Sequence, residues 1–482
     1  MIEFGYDKRD KKAFISGDIS IISEVREHFS YPNKGAEFAR RIGRFIPERS
    51  YIITPTFRFN VGLVQVISKY IEETYDLRGS ISEELKPLVY PELPKVVPTP
   101  LGLPLREYQC DIVNICLRSG RGTVVLATAG GKTLTFASLL ETLYQNTQKK
   151  QTWKALIIVP DLGLVTQTYT DFINYKVSFS FCKWTGSNEV DISCNVVIAN
   201  LGILQSKNTD IDWIRFVDVL IQDETHKLRS SNKVNKLIKQ IQTPHKFGFT
   251  GTLPEENCDL WNIYGIIGPV IYERKSYELR EEKYVAPVEV SILNLFYKSK
   301  PVVDRTKSDE PTKKYRAELD FIVSSVYREQ VILKFSGSLQ KNTLILVDYI
   351  KHGENLVSLI ANNCASKSVH FIQGEVEVDE RERVKKLMET QDNVICIAIS
   401  KIFSTGISIN NIHNIIFAGG GKAKIKTLQS IGRGLRLHAS KQKLLIIDIA
   451  DQLEYGQDHA LKRRDMYISE KIPYKEYNLH EK

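Results

Sequence analysis

TVVLATAGGKTLTFASLL, residues 123–140, decides the fold. A β-branched run at 123–127 breaks into a turn of small residues, and a helical pattern starts at once after it. That is a buried strand feeding a helix through a tight loop. Thr128, Ala129, Gly130 and Gly131 make up the loop, and glycine lets backbone amides approach the oxygens of a phosphate. The new helix points its amino end at the anion. Lys132 reaches the β and γ phosphates, and Thr133 can ligate magnesium. Leu126 stands where the common form of this loop has its first glycine. The segment is read as a nucleoside triphosphate site.

Outward from it, short apolar runs alternate with helical patterns: ALIIVP (155–160), NVVIAN (195–200), VDVLIQDE (217–224) and KFGFTGT (246–252). The rhythm returns in TLILVD (343–348), SVHFIQG (368–374), VICIAIS (394–400), NIIFAGG (414–420) and LLIIDIAD (444–451). Strands spaced by helices give parallel sheets. The expected fold class is therefore α/β, with two parallel-sheet domains in tandem. The run at 217–224 ends in Asp223-Glu224, so two carboxylates emerge where α/β sheets bind ligands. Asp223 would hold magnesium, and Glu224 would orient or deprotonate the attacking water. Arg433 and Arg436 lie three apart on a helical pattern, on one face, and can stabilise charge on a transferring phosphate.

At 482 residues the chain is too long for one core, and roughly 150 residues per domain gives about three. VYPELPKVVPTPLGLP (89–104) carries five prolines and reads as a boundary. The highly charged YKSKPVVDRTKSDEPTKKYR (297–316) reads as a surface loop or insertion. The expected division is 1–95, an α+β nucleic-acid-binding module, then 96–285 and 286–482. Hydrophobic residues at 42% exclude a disordered chain, and a net charge of +9 favours polyanionic partners. Seven cysteines without a CxxC pair argue against zinc and a disulfide framework, and read as buried small hydrophobes in a reducing compartment. No signal peptide or membrane-length apolar run is visible, so a cytoplasmic protein without membrane contact is expected; a monomer is expected as well.

These segments resemble the superfamily 2 helicases and translocases. DETH (223–226) is similar to their DExH box, and ATAGGKT (127–133) to their variant phosphate loop. LREYQ (105–109) resembles the adenine-recognition segment, implying base contacts from Arg106 and Gln109. VPDLGLVTQ (159–167) resembles motif Ia, and TGT (250–252) stands where motif III couples hydrolysis to strand movement, implying coupling roles for His226, Thr250 and Thr252. FSTGISI (403–409) and QSIGRGLR (429–436) resemble motifs V and VI, implying nucleotide contacts from Gly406 and Gln429. LVDYIKHGENL (346–356), HFIQGEV (370–376) and a basic amino-terminal module resemble the bacteriophage UvsW type, related to RecG- and XPB-like translocases. The resemblance spans about residues 100–455. It implies two RecA-like domains with ATP and Mg2+ as ligands. The implied activity is ATP-driven work on branched or duplex DNA in fork reversal, junction migration, recombination and repair, in the host cytoplasm if the chain is of phage origin.

Nucleic-acid contacts are expected from Gln167, Asn200, Ser404 and Thr405, polar groups at strand ends that suit phosphate positioning. In the amino-terminal module, Lys34, Arg40, Arg41, Arg44, Arg49 and Arg58 face only Glu37 and Glu48 between residues 34 and 58. Interleaved Phe38, Phe45, Tyr51, Phe57 and Phe59 could stack on bases or form a small core. Three alternatives stay open: an RNA helicase, a restriction-enzyme motor subunit, and a scaffold that has kept the fold without hydrolysis. The scaffold would require loss of Lys132, Asp223, Glu224 or Arg433, and all four are present.

Overall fold

The computed structural model describes residues 1–33, 36–41, 43, 45–91, 101–206, 212–228, 234–241, 243–299, 301, 311–373, 378–400, 409–419 and 441–482. The chain forms two compact units, Met1–Leu126 with Gly131–Glu273, and Ala127–Gly130 with Arg274–Lys482.

The first unit opens with a four-stranded mixed sheet, in the order Arg58–Phe59, Lys12–Gly17, Ile2–Asp7, Ser80–Ile81. Ile2–Asp7 runs antiparallel to Lys12–Gly17 and parallel to Ser80–Ile81. Helix Ile19–His28 starts at Asp18, whose side chain accepts from the Ser20 and Ile21 amides and so satisfies the free helix end. That helix and Val64–Tyr75 bury Ile22, Val25, Ile67 and Ile71 against Phe4, Ile15 and Phe59 of the sheet. Trp261 and Tyr264, from helix Asn257–Ile266, pack on the same core. The contact is close enough that a Cβ on Gly62 would fall 2.1 Å from the Tyr264 carbonyl oxygen.

The same unit holds a seven-stranded sheet, in the order Val270–Arg274, Arg121–Leu126, His245–Thr250, Val219–Asp223, Ala155–Val159, Val196–Asn200, Phe181–Trp184. All pairings from Arg121–Leu126 to Phe181–Trp184 are parallel. Every residue of Arg121–Leu126, Ala155–Val159 and Val219–Asp223 is buried, as strands covered on both faces must be. The order sets the strand before the phosphate loop beside His245–Thr250, which in turn lies beside Val219–Asp223.

The second unit contains another seven-stranded sheet, ordered Ser368–Ile372, Val394–Ile399, Thr343–Val347, Asn414–Phe417, Leu444–Asp451, Val288–Phe296, Tyr474–His480, and parallel throughout. Ile345, Ile395, Ile416 and Ile447 lie in its core. Asp448 and Asp451 sit three apart on one strand, hence on opposite faces. Asp448 pairs with Arg463 at 2.8 Å and accepts from the Tyr467 hydroxyl at 2.8 Å. Asp451 pairs with Arg328 at 2.8 Å and accepts from the Tyr297 hydroxyl at 2.5 Å. Each face of this sheet therefore carries one buried, hydrogen-bonded ion pair.

Two parallel sheets behind a small mixed one are the expected fold class. Several sequence readings need correction. The charged stretch 297–316 is not all loop, since helix Pro311–Ser324 begins inside it. Lys314 and Arg316 lie on that helix, and solvated charges are compatible with helix as well as loop. Only Cys116 and Cys396 are buried, while the other five cysteines are partly exposed. Phe181–Trp184, Val270–Arg274, Val288–Phe296 and Tyr474–His480 are strands that carry no long β-branched run. Three of them lie at sheet edges, and Val288–Phe296 sits next to one. No described helix is long and apolar enough to cross a membrane.

Candidate nucleotide site

The site forms at the carboxyl ends of three adjacent strands of the first unit. Helix Lys132–Asn146 begins directly after Gly131, whose backbone is left-handed at φ 78°. A Cβ there would also meet Gln109 Nε2 at 2.4 Å, so the position needs glycine for conformation and for space. The same contact fixes Gln109, buried at the first turn of helix Glu107–Ser119, against the amino end of the phosphate-loop helix. Gln109 Oε1 accepts the Arg106 amide at 2.9 Å, and Arg106 Nη1 donates to the Tyr108 hydroxyl at 3.0 Å. Within the loop, the Gly130 amide donates to the Ala127 carbonyl at 3.0 Å, and Ala129 is left-handed at φ 69°. Thr128 and Ala129 are partly exposed.

On the next strand but one, Asp223 is buried and Glu224 turns left-handed at φ 49°. That conformation costs a non-glycine residue about 1 kcal/mol or more, and here it aims the carboxylate toward Lys132. Lys132 Nζ lies 3.5 Å from Glu224 Oε1, with both side chains largely shielded. Burial and the neighbouring Glu224 push the Asp223 carboxyl up to about 7, against the opposing pull of Lys132 and of the Glu224 amide, which donates to Asp223 Oδ1 at 2.9 Å. Two adjacent carboxylates at a shielded strand end offer hard oxygen ligands of the kind a divalent cation takes. Asp223 and the Thr133 hydroxyl at the start of the helix are the residues that would hold Mg2+.

His226 joins this pair to the third strand. Its Nδ1 lies 3.3 Å from Glu224 Oε2 and 2.9 Å from Thr250 Oγ1. Thr250 Oγ1 donates to the Thr252 carbonyl at 2.7 Å. A continuous polar chain thus runs from Lys132 through Glu224 and His226 to Thr250 and Thr252. Two further groups were missed in the sequence. Thr225 Oγ1 contacts the carbonyls of Gln222 and Phe249, at 2.9 and 3.1 Å, and pins the acidic turn to the neighbouring strand. Asp161 caps helix Leu162–Tyr175 by accepting the Leu164 amide at 3.0 Å, and its charge adds to the upward push on Asp223. An aspartate between an apolar run and a helical pattern was the available signal for it.

The expected nucleic-acid residues fall elsewhere. Gln167 lies on helix Leu162–Tyr175 and Asn200 ends its strand. Gln167 Oε1 and Asn200 Oδ1 are buried without a hydrogen-bond partner among the described residues. In the amino-terminal module Arg40 pairs with Glu48 at 2.5 Å, and Arg41 is exposed. Arg49 and Arg58 are held within the module, by Glu27 and Ser30 and by Asp7 and Asp10 respectively. Phe59 belongs to the core, Phe57 packs against it, Tyr51 lies under the Arg26 guanidinium, and Phe45 is 93% exposed. Lys34, Arg44, Ser404, Thr405, Gly406, Gln429, Arg433 and Arg436 lie outside the described residues.

Residues 102–255 match the family described as the res subunit of type III restriction enzymes, and residues 327–438 match the helicase conserved C-terminal domain. Both matched segments resemble those of the superfamily 2 DExH-box helicases. It is similar to the ATP-dependent DNA helicase uvsW of Enterobacteria phage T4, at 27% identity over 495 residues, covering 94% of this chain and 95% of that protein. It is also similar to the DNA 3'-5' translocase XPB2 of Sulfurisphaera tokodaii, at 25% identity, covering 75% of this chain and 84% of the relative. A fragment of an HsdR subunit of a type I restriction enzyme from Vibrio vulnificus shares the fold, with a TM-score of 0.60 at 17% identity over 91% of this chain and 89% of its own.

Proposed function

We propose that this protein is an ATP-dependent DNA helicase or translocase that acts on branched or double-stranded DNA, in fork reversal, junction migration, recombination and repair. The chain from Lys132 to Thr250 through Glu224 and His226 carries the reading, because it joins a phosphate-binding helix terminus to the segment that follows the third strand.

Lys132 and the amides around Gly131 hold the β and γ phosphates of ATP, and Gln109 with Arg106 reads the base. Asp223 and Thr133 would hold Mg2+, which would supply charge neutralisation at the phosphate oxygens. Glu224 orients a water and draws its proton as the water oxygen bonds to the γ phosphorus. The bond from that phosphorus to the bridging oxygen breaks, leaving ADP and phosphate. His226 senses the change at Glu224 and passes it to Thr250 and Thr252. Arg433 and Arg436 are assigned transition-state charge, and Gly406 and Gln429 nucleotide contacts, on sequence alone. Gln167, Asn200, Ser404, Thr405, Arg40, Arg41 and Arg44 are assigned DNA backbone contacts, which require no base reading. The division into 1–95, 96–285 and 286–482, a monomeric state and a cytoplasmic site of action belong to the same reading.

The test is ATP hydrolysis by the purified chain with no nucleic acid, single-stranded DNA, duplex DNA, a synthetic fork and RNA. Strong stimulation by the fork or duplex supports the reading. Stimulation by RNA alone replaces it with an RNA helicase, and a flat response leaves the scaffold.

A further inference from the structure

The amino ends of the same central strands carry a second cluster of charge. Arg121 opens one strand and Lys246 lies near the start of its neighbour, and the two are direct partners in the parallel register. Both are 4% exposed. Like charges side by side on adjacent strands are destabilising, and more so when buried. Lys11, from the turn between the first two strands of the amino-terminal module, and Lys239 stand at the rim of the same pocket. Asn60 and Thr243 are among the neutral lining groups, and no carboxylate lines it among the described residues.

The protein offers Arg121 and Lys246 little compensation. Arg121 Nε donates to the Ile267 carbonyl at 3.0 Å, leaving the two terminal nitrogens of its fork without a protein acceptor among the described residues. Lys246 Nζ reaches the Ile238 carbonyl at 3.3 Å, and Lys11 Nζ the Gln240 carbonyl at 3.5 Å. Burial and the surrounding cations push Lys246 well below its ordinary range. Arginine does not escape by losing its proton, so the Arg121 charge persists in the pocket.

We propose that this pocket, between the amino-terminal module and the amino edge of the first parallel sheet, binds a phosphate group. The partly open cavity is about 30 Å³, room for roughly two water-sized atoms. That suits two oxygens of a phosphate against Arg121 and Lys246, with the rest of the group facing Lys11 and Lys239 at the mouth. Several non-bridging oxygens on one anionic centre match a guanidinium fork with ammonium groups beside it. The site is separate from the nucleotide site, which lies at the other end of the same strands. Its phosphate can be inorganic or part of a DNA backbone, and occupancy would tie the amino-terminal module to the motor.

The test uses the full chain with Lys132→Ala, which removes the phosphate loop's own response. Melting temperature is measured in inorganic phosphate against chloride at equal ionic strength, and duplex DNA affinity is measured across a salt series. The comparisons add Lys246→Met, or Lys11→Ala with Lys239→Ala, the latter pair being exposed. Phosphate is expected to raise the melting temperature of the parent, with a markedly smaller rise in both variants. If the variants also lose DNA affinity and their salt slope flattens by about one, the phosphate is that of the backbone. Unchanged DNA binding assigns the pocket to free phosphate, and a DNA effect without a phosphate effect assigns it to the backbone alone. An equal phosphate response in all three chains overturns the proposal, as does no response accompanied by DNA affinity that neither variant alters.

Discussion

Glu224 Oε1 lies 3.5 Å from Lys132 Nζ while its other oxygen lies 3.3 Å from His226 Nδ1, so one carboxylate faces both the phosphate-binding lysine and the coupling histidine. Glu224→Gln keeps the shape and removes the base. ATP hydrolysis should fall about 100-fold or more, with ATP binding retained in a filter or fluorescence assay. Hydrolysis within a few-fold of the parent would remove Glu224 from the chemistry.

Thr250 ties the histidine to the third strand at 2.9 Å. Thr250→Val leaves His226 Nδ1 without that partner, at a cost of about 1–3 kcal/mol of stability. Hydrolysis should stay within a few-fold and strand separation should fall much further. Equal losses in the two assays would mean that Thr250 does not couple them.

Gly131 combines φ 78° with a 2.4 Å approach to Gln109. Gly131→Ala should cost about 1–2 kcal/mol from the left-handed backbone alone and displace the Gln109 amide. An ATP Kd weakened about tenfold corresponds to 1.4 kcal/mol. Titration calorimetry showing unchanged affinity would contradict the packing described.

The Asp223 carboxyl, raised to about 7, binds its proton more tightly in the folded chain than in the unfolded one. The folded state therefore holds the extra proton between the ordinary carboxylate range and pH 7. Its stabilising contribution is complete at acid pH and is lost as pH rises through about 7. Without nucleotide or magnesium, Asp223→Asn should flatten that part of the melting-temperature profile. A profile parallel to the parent's between pH 5 and 8 would be the opposing result.

Arg463 and Asp448 are a buried pair in the second unit, shared with the Tyr467 hydroxyl. Arg463→Met strands the carboxylate and should cost about 3–5 kcal/mol by urea denaturation. Adding Asp448→Leu should recover much of that. A single variant as stable as the parent would show that the pair is dispensable.

Much of this fold was legible because the central strands are continuous apolar runs, such as ALIIV at 155–159, which only sheet interiors require. Edge strands were not, since Tyr474–His480 is mostly exposed and its sequence alternates without a clear apolar face. Within the site, Lys132, Asp223 and Glu224 were visible because each lies at or just beyond the carboxyl end of a strand. Thr225 was hidden, since its role is a pair of hydrogen bonds to two backbone carbonyls, one of them distant in sequence. The pairing of Arg49 and Arg58 inside the module was equally invisible. Their carboxylates and hydroxyls come from the first thirty residues, brought near only by the fold.

ATP hydrolysis and strand separation measured together on a forked DNA, with the parent chain and Glu224→Gln, test the motor assignment most directly. The expected result is ATP-dependent separation by the parent and loss of both activities in the variant. Separation that persists in Glu224→Gln, or hydrolysis by the parent that neither the fork nor duplex DNA stimulates, would contradict it.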